Sequence, residues 1–236
     1  MLSSLPIALH IPDGFLSGPV ATLLWLLAIL AVANGLRIAN ATLDESRVPL
    51  LGVLAAFIFA VQMLNFPVAG GTSGHLLGAT LAAVLIGPWI ACLIMAVVLM
   101  VQCFAFADGG VSALGANIVN MGVLGALLAG YLIKVLMPML PKTRAAFLGA
   151  VGVASWVAVM VAAGATSVQL ATSGTVPLDT VLPAMLGVHA LIGIGEAVIT
   201  VAAVSAVLAS RPDLIALGTF DAPPVRADAA PAGSPS

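Results

Sequence analysis

Apolar runs long enough to cross a bilayer succeed one another from Ser17 to Ala209, interrupted only by short glycine, proline and polar segments. Backbone N–H and C=O groups find no partner in hydrocarbon, so runs of this length are expected as helices packed on one another. Of 236 residues, 62% are hydrophobic and 7% charged, against a charged fraction of about 25% in an ordinary soluble domain. The chain therefore reads as an all-α polytopic membrane protein. Its net charge of −2 offers no basic surface for nucleic acid. Cys92 and Cys103 lie inside apolar runs at a spacing of eleven, which suits neither a disulfide framework nor a zinc ligand pair. They read as buried small hydrophobes. Met1 to Leu9 lacks a basic region and an apolar region of signal-peptide type, so no secretory leader is expected.

Seven spans are expected. The first runs from Ser17 to about Arg37, and Arg37, Asp44, Glu45 and Arg47 mark the loop that follows. The second, Val48 to Phe66, has Pro49 in its first turn, where a missing N–H costs little. Val68 to His75 holds three glycines and two hydroxyls and reads as a segment of close backbone approach. Leu76 to Phe106 is too long for one span and divides at Gly87-Pro88. The third helix, about Gly74 to Ile86, is short and expected half-exposed against its neighbours; the fourth covers Pro88 to Phe106. The fifth is Leu114 to Met137, the sixth Ala145 to Leu170 and the seventh Leu182 to Ala209. Three regions follow: an extracytoplasmic segment 1–16, a bundle 17–209, and a cytoplasmic tail 210–236 whose Ala/Pro/Asp-rich composition predicts disorder.

Lysine and arginine bias their loops to the cytoplasm. Alternating seven spans puts Arg37, Arg47, Lys134, Lys142, Arg144, Arg211 and Arg226 on one side. That predicts the N-terminus outside and the C-terminus inside. It also places His10, His75 and His189, the three histidines, toward the outer face. Imidazole is the commonest side-chain ligand for nickel, cobalt, zinc and copper, and histidines with few carboxylates suit a transition metal over Mg²⁺ or Ca²⁺. Taken singly, the three also fit an interfacial loop, a helix cap and a buried hydrogen bond.

An ionisable group in the middle of a span costs about 2.5–3.5 kcal/mol on insertion scales, so each is a functional candidate. Glu196 follows His189 by seven residues on nearly the same helix face; it can orient a polar network or bond a neighbouring helix. Asn65, Asn117 and Asn120 are amides in or beside apolar helices, and Asn117 and Asn120 share a face. Such amides commonly join helices. Asp13 and Asp108 fit turns or caps, then places behind a metal ligand. Small residues at Ala28, Ala31 and Gly35, at Ala55, Ala56 and Ala60, and at Gly122, Ala126, Ala129 and Gly130 allow close helix contact.

With these motifs in view the chain resembles a known family. His10-Ile11-Pro12-Asp13-Gly14-Phe15-Leu16, Gln62-Met63-Leu64-Asn65-Phe66-Pro67, Gly70-Gly71-Thr72-Ser73-Gly74-His75-Leu76-Leu77-Gly78, Phe106-Ala107-Asp108-Gly109-Gly110, Gly115-Ala116-Asn117 and Gly193-Ile194-Gly195-Glu196-Ala197 are similar to motifs of the CbiM/NikM family. Those proteins are substrate-binding membrane subunits of energy-coupling-factor transporters for cobalt and nickel. The likeness runs from His10 to about Ala209. It implies a six-helix core with one added N-terminal helix, and a divalent metal held near the outer surface. In the family the chain opens on a Met-His pair. Its terminal amine, histidine amide nitrogen and imidazole join a second histidine in a near-square-planar nitrogen site, suited to Ni(II) and compatible with Co(II). Carried over, His10 and His75 are the metal ligands and His189 a weaker candidate, with Asp13, Asn65, Ser73, Asn117 and Glu196 as the surrounding network.

One departure matters. Met1 to Ala8 precede Leu9-His10, and Leu9 stands at the family's Met position. A later start, cleavage before Leu9, or another donor such as His189 or water would each account for it. The resemblance implies an uptake subunit of the cell membrane that captures cobalt, for cobalamin biosynthesis, or nickel. A coupling membrane subunit, two cytoplasmic ATPases and a small accessory membrane subunit would complete the transporter. No Walker motif is present, so ATP hydrolysis is assigned to those partners, with no enzymatic role and no catalytic cofactor here. The alternatives are an intramembrane metalloenzyme, which lacks a His-Glu-x-x-His helix, and a permease for an organic solute.

Overall fold

The computed structural model describes residues 10–68 and 72–218. Its helices are α1 (Gly18–Thr42), α2 (Val48–Gln62), α3 (Ala79–Ile86), α4 (Pro88–Phe106), α5 (Leu114–Met139), α6 (Arg144–Thr172) and α7 (Leu178–Ser210). All but α3 belong to six segments long and apolar enough to cross a membrane. At 25 residues α1 reaches about 38 Å, more than the ~30 Å of a hydrocarbon core. Proline occupies the first turn of α1, α2 and α4, where it removes an N–H that the helix does not use. Thr143 caps α6 by accepting the Ala146 N–H at 3.2 Å. Leu23, Leu26, Leu30, Leu191 and Val198 lie exposed on the helix flanks, as a lipid-facing surface requires.

The seven-helix bundle is as expected, but its third element is not. Helix α3 begins at Ala79, not near Gly74, and each of its eight residues is buried. The half-exposed helix expected from its shortness is thus corrected. Ala79–Ile86 has no polar stripe to offer a surface, and a helix apolar all round belongs in a core. Upstream of it, β1 (Asn65–Val68) and β2 (Thr72–His75) pair antiparallel, with Asn65 opposite His75 and Phe66 opposite Gly74. Gly78, at φ +71°, turns the chain from β2 into α3, and a Cβ there would stand 2.9 Å from Ile58.

Helix α5 is continuous but widened to a π-helix over Val119–Leu127. On this stretch Gly125 faces Ala79 of α3, where a Cβ would meet the Ala79 Cβ at 3.0 Å. After α7 the chain does not leave the body at once. Pro212–Leu214 forms a turn, and the N–H groups of Ala216 and Leu217 donate to the Val84 carbonyl at 2.9 and 3.2 Å. The described chain continues to residue 218; residues 219–236 lie outside the described residues.

The alternation of helices gathers residues 10–17, the hairpin, 107–113 and 173–177 at one end. The Thr175 hydroxyl donates to the Phe15 carbonyl there, and Trp25 Nε1 to the Ser112 carbonyl at 3.2 Å. The opposite end holds residues 43–47, 140–143 and 211–217, where Arg47 donates to the Asp213 carbonyl at 3.4 Å. The described lysines and arginines lie toward this second end and the three histidines toward the first.

Candidate metal centre

The first histidine is fixed by its neighbours in the turn before α1. Ile11 donates its N–H to the Asn117 side chain at 3.2 Å, and its carbonyl accepts from Asn117 Nδ2 at 3.3 Å and from the Gly110 N–H at 2.9 Å. Two residues on, Asp13 accepts from the Ser112 N–H at 2.7 Å and from its hydroxyl at 2.5 Å. Those bonds, the hydroxyl's first, hold the Asp13 carboxyl below its ordinary 3.8. The loop 108–112 thus clamps the turn 10–13, and glycine makes the approach possible. A Cβ on Gly109 would lie 2.9 Å from the His10 Cβ, and one on Gly110 2.2 Å from the Asp13 nitrogen.

Held this way, His10 is buried and its ring stands edge-on to His75, centroids 4.8 Å apart at 64°. Its Nδ1 lies 3.2 Å from Asp108 Oδ2, without the alignment of a hydrogen bond. Neither ring nitrogen of His10 has a hydrogen-bond partner among the described residues. A buried imidazole left this way is costly unless a ligand supplies the partner.

His75 closes β2 and is equally buried. Its Nδ1 lies 2.9 Å from the Leu76 carbonyl. A carbonyl can only accept, so Nδ1 carries the hydrogen and Nε2 keeps its lone pair. Burial first, and the adjacent His10 second, push this imidazole down from 6.5 to about 3. It is therefore neutral across the physiological range, the form that binds a metal.

The segment after His75 is neither strand nor helix, yet it sits inside the bundle. Glu196 of α7 accepts the N–H of Leu77 at 2.9 Å and of Gly78 at 2.8 Å. Gln62 of α2 donates to the Leu77 carbonyl at 2.8 Å and in turn accepts from Gln102 of α4 at 2.9 Å. Irregular backbone survives in a membrane protein only where such partners exist.

The structure sets His10 beside His75 and holds their flanking segments by Asp13 and Asn117 at one end of the bundle and by Glu196 deeper within it. His189 of α7 lies beside this group. A Cβ on Gly74 would stand 3.0 Å from its Nε2, and its Nδ1 donates to the Met185 carbonyl at 2.8 Å. The side chains of Asn65 and Ser73, and the whole of residues 1–9, lie outside the described residues. Asn120 serves elsewhere: it exchanges hydrogen bonds of 2.8 and 2.7 Å with Gln169 of α6, joining two helices. Gln62 and Gln102 were not singled out from the sequence. An uncharged amide inside an apolar run is the signal that both carry. Among the described residues, no three His, Cys, Asp or Glu side chains group closely enough to hold an ion by themselves.

Fold and site together define a multi-pass membrane protein with a pair of buried imidazoles at one end of its bundle. The chain belongs to the CbiM family of cobalt and nickel transport membrane proteins: the family model for the cobalt uptake substrate-specific transmembrane region matches residues 10–214. A relative in Archaeoglobus fulgidus, provisionally named the fused nickel transport protein NikMN, is 40% identical over 88% of this chain and 68% of its own length. One in Halobacterium salinarum, provisionally named the cobalt transport protein CbiM, is 37% identical over 69% of this chain and 72% of its own. The crystal structure of a truncated transition metal transporter superposes with a TM-score of 0.78 at 30% identity, covering 85% of this chain and 98% of that one.

Proposed function

We propose that this chain captures Ni²⁺ or Co²⁺ at His10 and His75 as the substrate-binding subunit of an energy-coupling-factor transporter. The observation that carries the reading is the His10 ring, buried 4.8 Å from His75 with neither nitrogen hydrogen-bonded among the described residues and Nδ1 3.2 Å from Asp108 Oδ2. Two imidazoles do not complete a coordination shell, and His189, whose Nε2 lies 3.0 Å from the Cβ position of Gly74, or water is the further donor. Imidazole nitrogens suit Ni²⁺ and Co²⁺ better than the oxygen-seeking cations.

The metal enters from outside the cell. Lysines and arginines mark the opposite end as cytoplasmic, with the N-terminus out and the C-terminus in. A coupling membrane subunit and two cytoplasmic ATPases, with a small accessory membrane subunit, drive delivery, since this chain carries no phosphate-binding loop of its own. The chain itself carries out no bond-making chemistry.

Thermal unfolding in detergent with and without each ion tests this. A ligand at about 100 times its dissociation constant adds about 2.7 kcal/mol of stability. That gain is expected with Ni²⁺ or Co²⁺ and not with Mg²⁺, and it disappears in His10→Ala and His75→Ala. Equal stabilisation of both variants, or none of the unaltered protein, overturns the reading.

A further inference from the structure

The peptide bond between Leu76 and Leu77 takes part in two hydrogen bonds on opposite sides. Its carbonyl accepts the Nδ1–H of His75 at 2.9 Å, and its N–H donates to Oε2 of Glu196 at 2.9 Å. A peptide unit is planar and rigid, so what orients one of these groups orients the other. The carboxylate, the peptide and the imidazole form one hydrogen-bonded chain, and each bond in such a chain polarises the next.

We propose that Glu196 is a positioning residue for the captured metal: acting through the Leu76–Leu77 peptide, it fixes the His75 ring with its hydrogen on Nδ1 and strengthens Nε2 as a metal donor. The inference rests on the capture function proposed above and adds to it a residue that never touches the ion. A carboxylate hydrogen-bonded directly to a ligating histidine is a common device; here one peptide is interposed.

Three features separate this arrangement from ordinary helix joining. First, the carboxylate is used at both oxygens. Oε1 accepts the Gly78 N–H at 2.8 Å, so Glu196 cannot turn without losing that bond as well. Second, the peptide beyond is braced from another side. The Leu77 carbonyl accepts from Gln62 at 2.8 Å, and Gly78 turns at φ +71° with Ile58 against it. The link from His75 to α3 is therefore held from α2 and α7 at once. Third, His189 provides an internal contrast. It shows the same Nδ1–H tautomer by the simplest means, a bond to the Met185 carbonyl of its own helix. Fixing a tautomer does not need a buried carboxylate; raising donor strength does.

Glu196→Gln keeps the size of the side chain but replaces one accepting oxygen with an NH₂ group set against one of the two N–H donors. Affinity for Ni²⁺, the d–d absorption of the bound ion and metal-free thermal stability would be measured together in the full-length protein. Positioning predicts at least about 10-fold weaker binding and an absorption band moved to longer wavelength by the weaker nitrogen donor. A purely structural role predicts lower metal-free stability with the band unmoved, and that outcome overturns the inference. Failure of the unaltered protein to bind Ni²⁺ or Co²⁺ sinks the capture reading instead, so the two failures are distinct. Should the variant not fold, hydrogen exchange on the unaltered, metal-free protein decides. Positioning requires the Leu77 and Gly78 amides to be protected like those of buried α4 before any metal is added. Free exchange of both amides until Ni²⁺ binds would show that the metal, not Glu196, orders the link.

Discussion

At the end that carries the histidines, non-helical backbone is buried and fastened by side chains from distant parts of the chain. At the opposite end, loops lie more exposed and side chains close them mainly onto their own neighbours, Arg47 to the Asp213 carbonyl excepted. Residues 216 and 217 there are tied by backbone bonds to the Val84 carbonyl. Asn117 reaches back 106 residues to hold Ile11, and Glu196 reaches 119 to hold Leu77. In the basic loops Asp44 accepts from Ser46 and Arg211 pairs with Asp213, each two residues away. Water can satisfy loose backbone at a membrane surface, but nothing can inside the bundle. The irregular segments of the histidine end therefore persist only because α2, α5 and α7 each contribute a polar side chain to them. Those same bonds tie the geometry of His10 and His75 to the packing of the helices.

The sharpest way to break this contrast is to add one methyl group at each end. A Cβ on Gly110 would lie 2.2 Å from the Asp13 nitrogen and 2.6 Å from the Pro12 carbonyl carbon. Both are backbone atoms, so no rotamer change relieves the clash. Gly110→Ala is expected to destabilise by about 3 kcal/mol and to abolish stabilisation by Ni²⁺, because the turn bearing His10 must move. Gly149, exposed in the first turns of α6 toward the basic end, has nothing within 4 Å of its Cβ position. Gly149→Ala is expected to stabilise by up to about 1 kcal/mol through helix propensity alone, with metal binding unchanged. Thermal unfolding with and without Ni²⁺ reads both.

A smaller effect is expected from Asn117→Ala. The Ile11 carbonyl keeps the Gly110 N–H, but the Ile11 N–H loses its partner. Leaving one buried donor unsatisfied costs about 1–3 kcal/mol. Because that donor belongs to the residue after His10, metal affinity should fall along with stability. Titration of the variant with Ni²⁺ checks this, and unchanged affinity would detach Asn117 from the site and leave it as a link between the N-terminal turn and α5.

The same contrast explains what could be read from the sequence. Helix positions followed from apolar runs and from Pro49 and Pro88, because regular helices in lipid depend on little but length and hydropathy. The gathering of the histidines followed from alternation and from the basic loops. The segment 65–78 did not follow. Its hairpin is set by strand pairing across a Gly-rich turn, and its burial by side chains 15 to 119 residues away, which no local pattern contains. The apolar run places helix α3 within five residues but does not reveal its burial. Shortness suggested a peripheral helix, whereas the absence of any polar face in Ala79–Ile86 was the better guide. Asp108 fitted a turn or a place behind a ligand on sequence grounds. Only the fold shows it facing His10 at 3.2 Å, because that contact joins the N-terminus to the loop after α4.

The weakest effect compares two aspartates, one at each end. Asp13 is held below its ordinary value by Ser112, and Asp213 by Arg211. In both cases the folded value is depressed. The stabilisation is therefore present above the unfolded value of 3.8 and is lost as pH falls through the folded one. Both carboxylates are exposed, so solvent screens each contribution heavily. Their consequences still differ, because Asp13 closes the turn two residues beyond Ile11, whereas Asp213 closes only a surface loop. Unfolding measured between about pH 6 and pH 3 should show Asp13→Asn slightly less stable at the upper end, with the difference vanishing toward the lower. Asp213→Asn should show a difference of the same sign but smaller, and no change in Ni²⁺ stabilisation. If Asp213→Asn shows the larger pH dependence, the division between a fastened end and a loose one does not extend to the loops themselves.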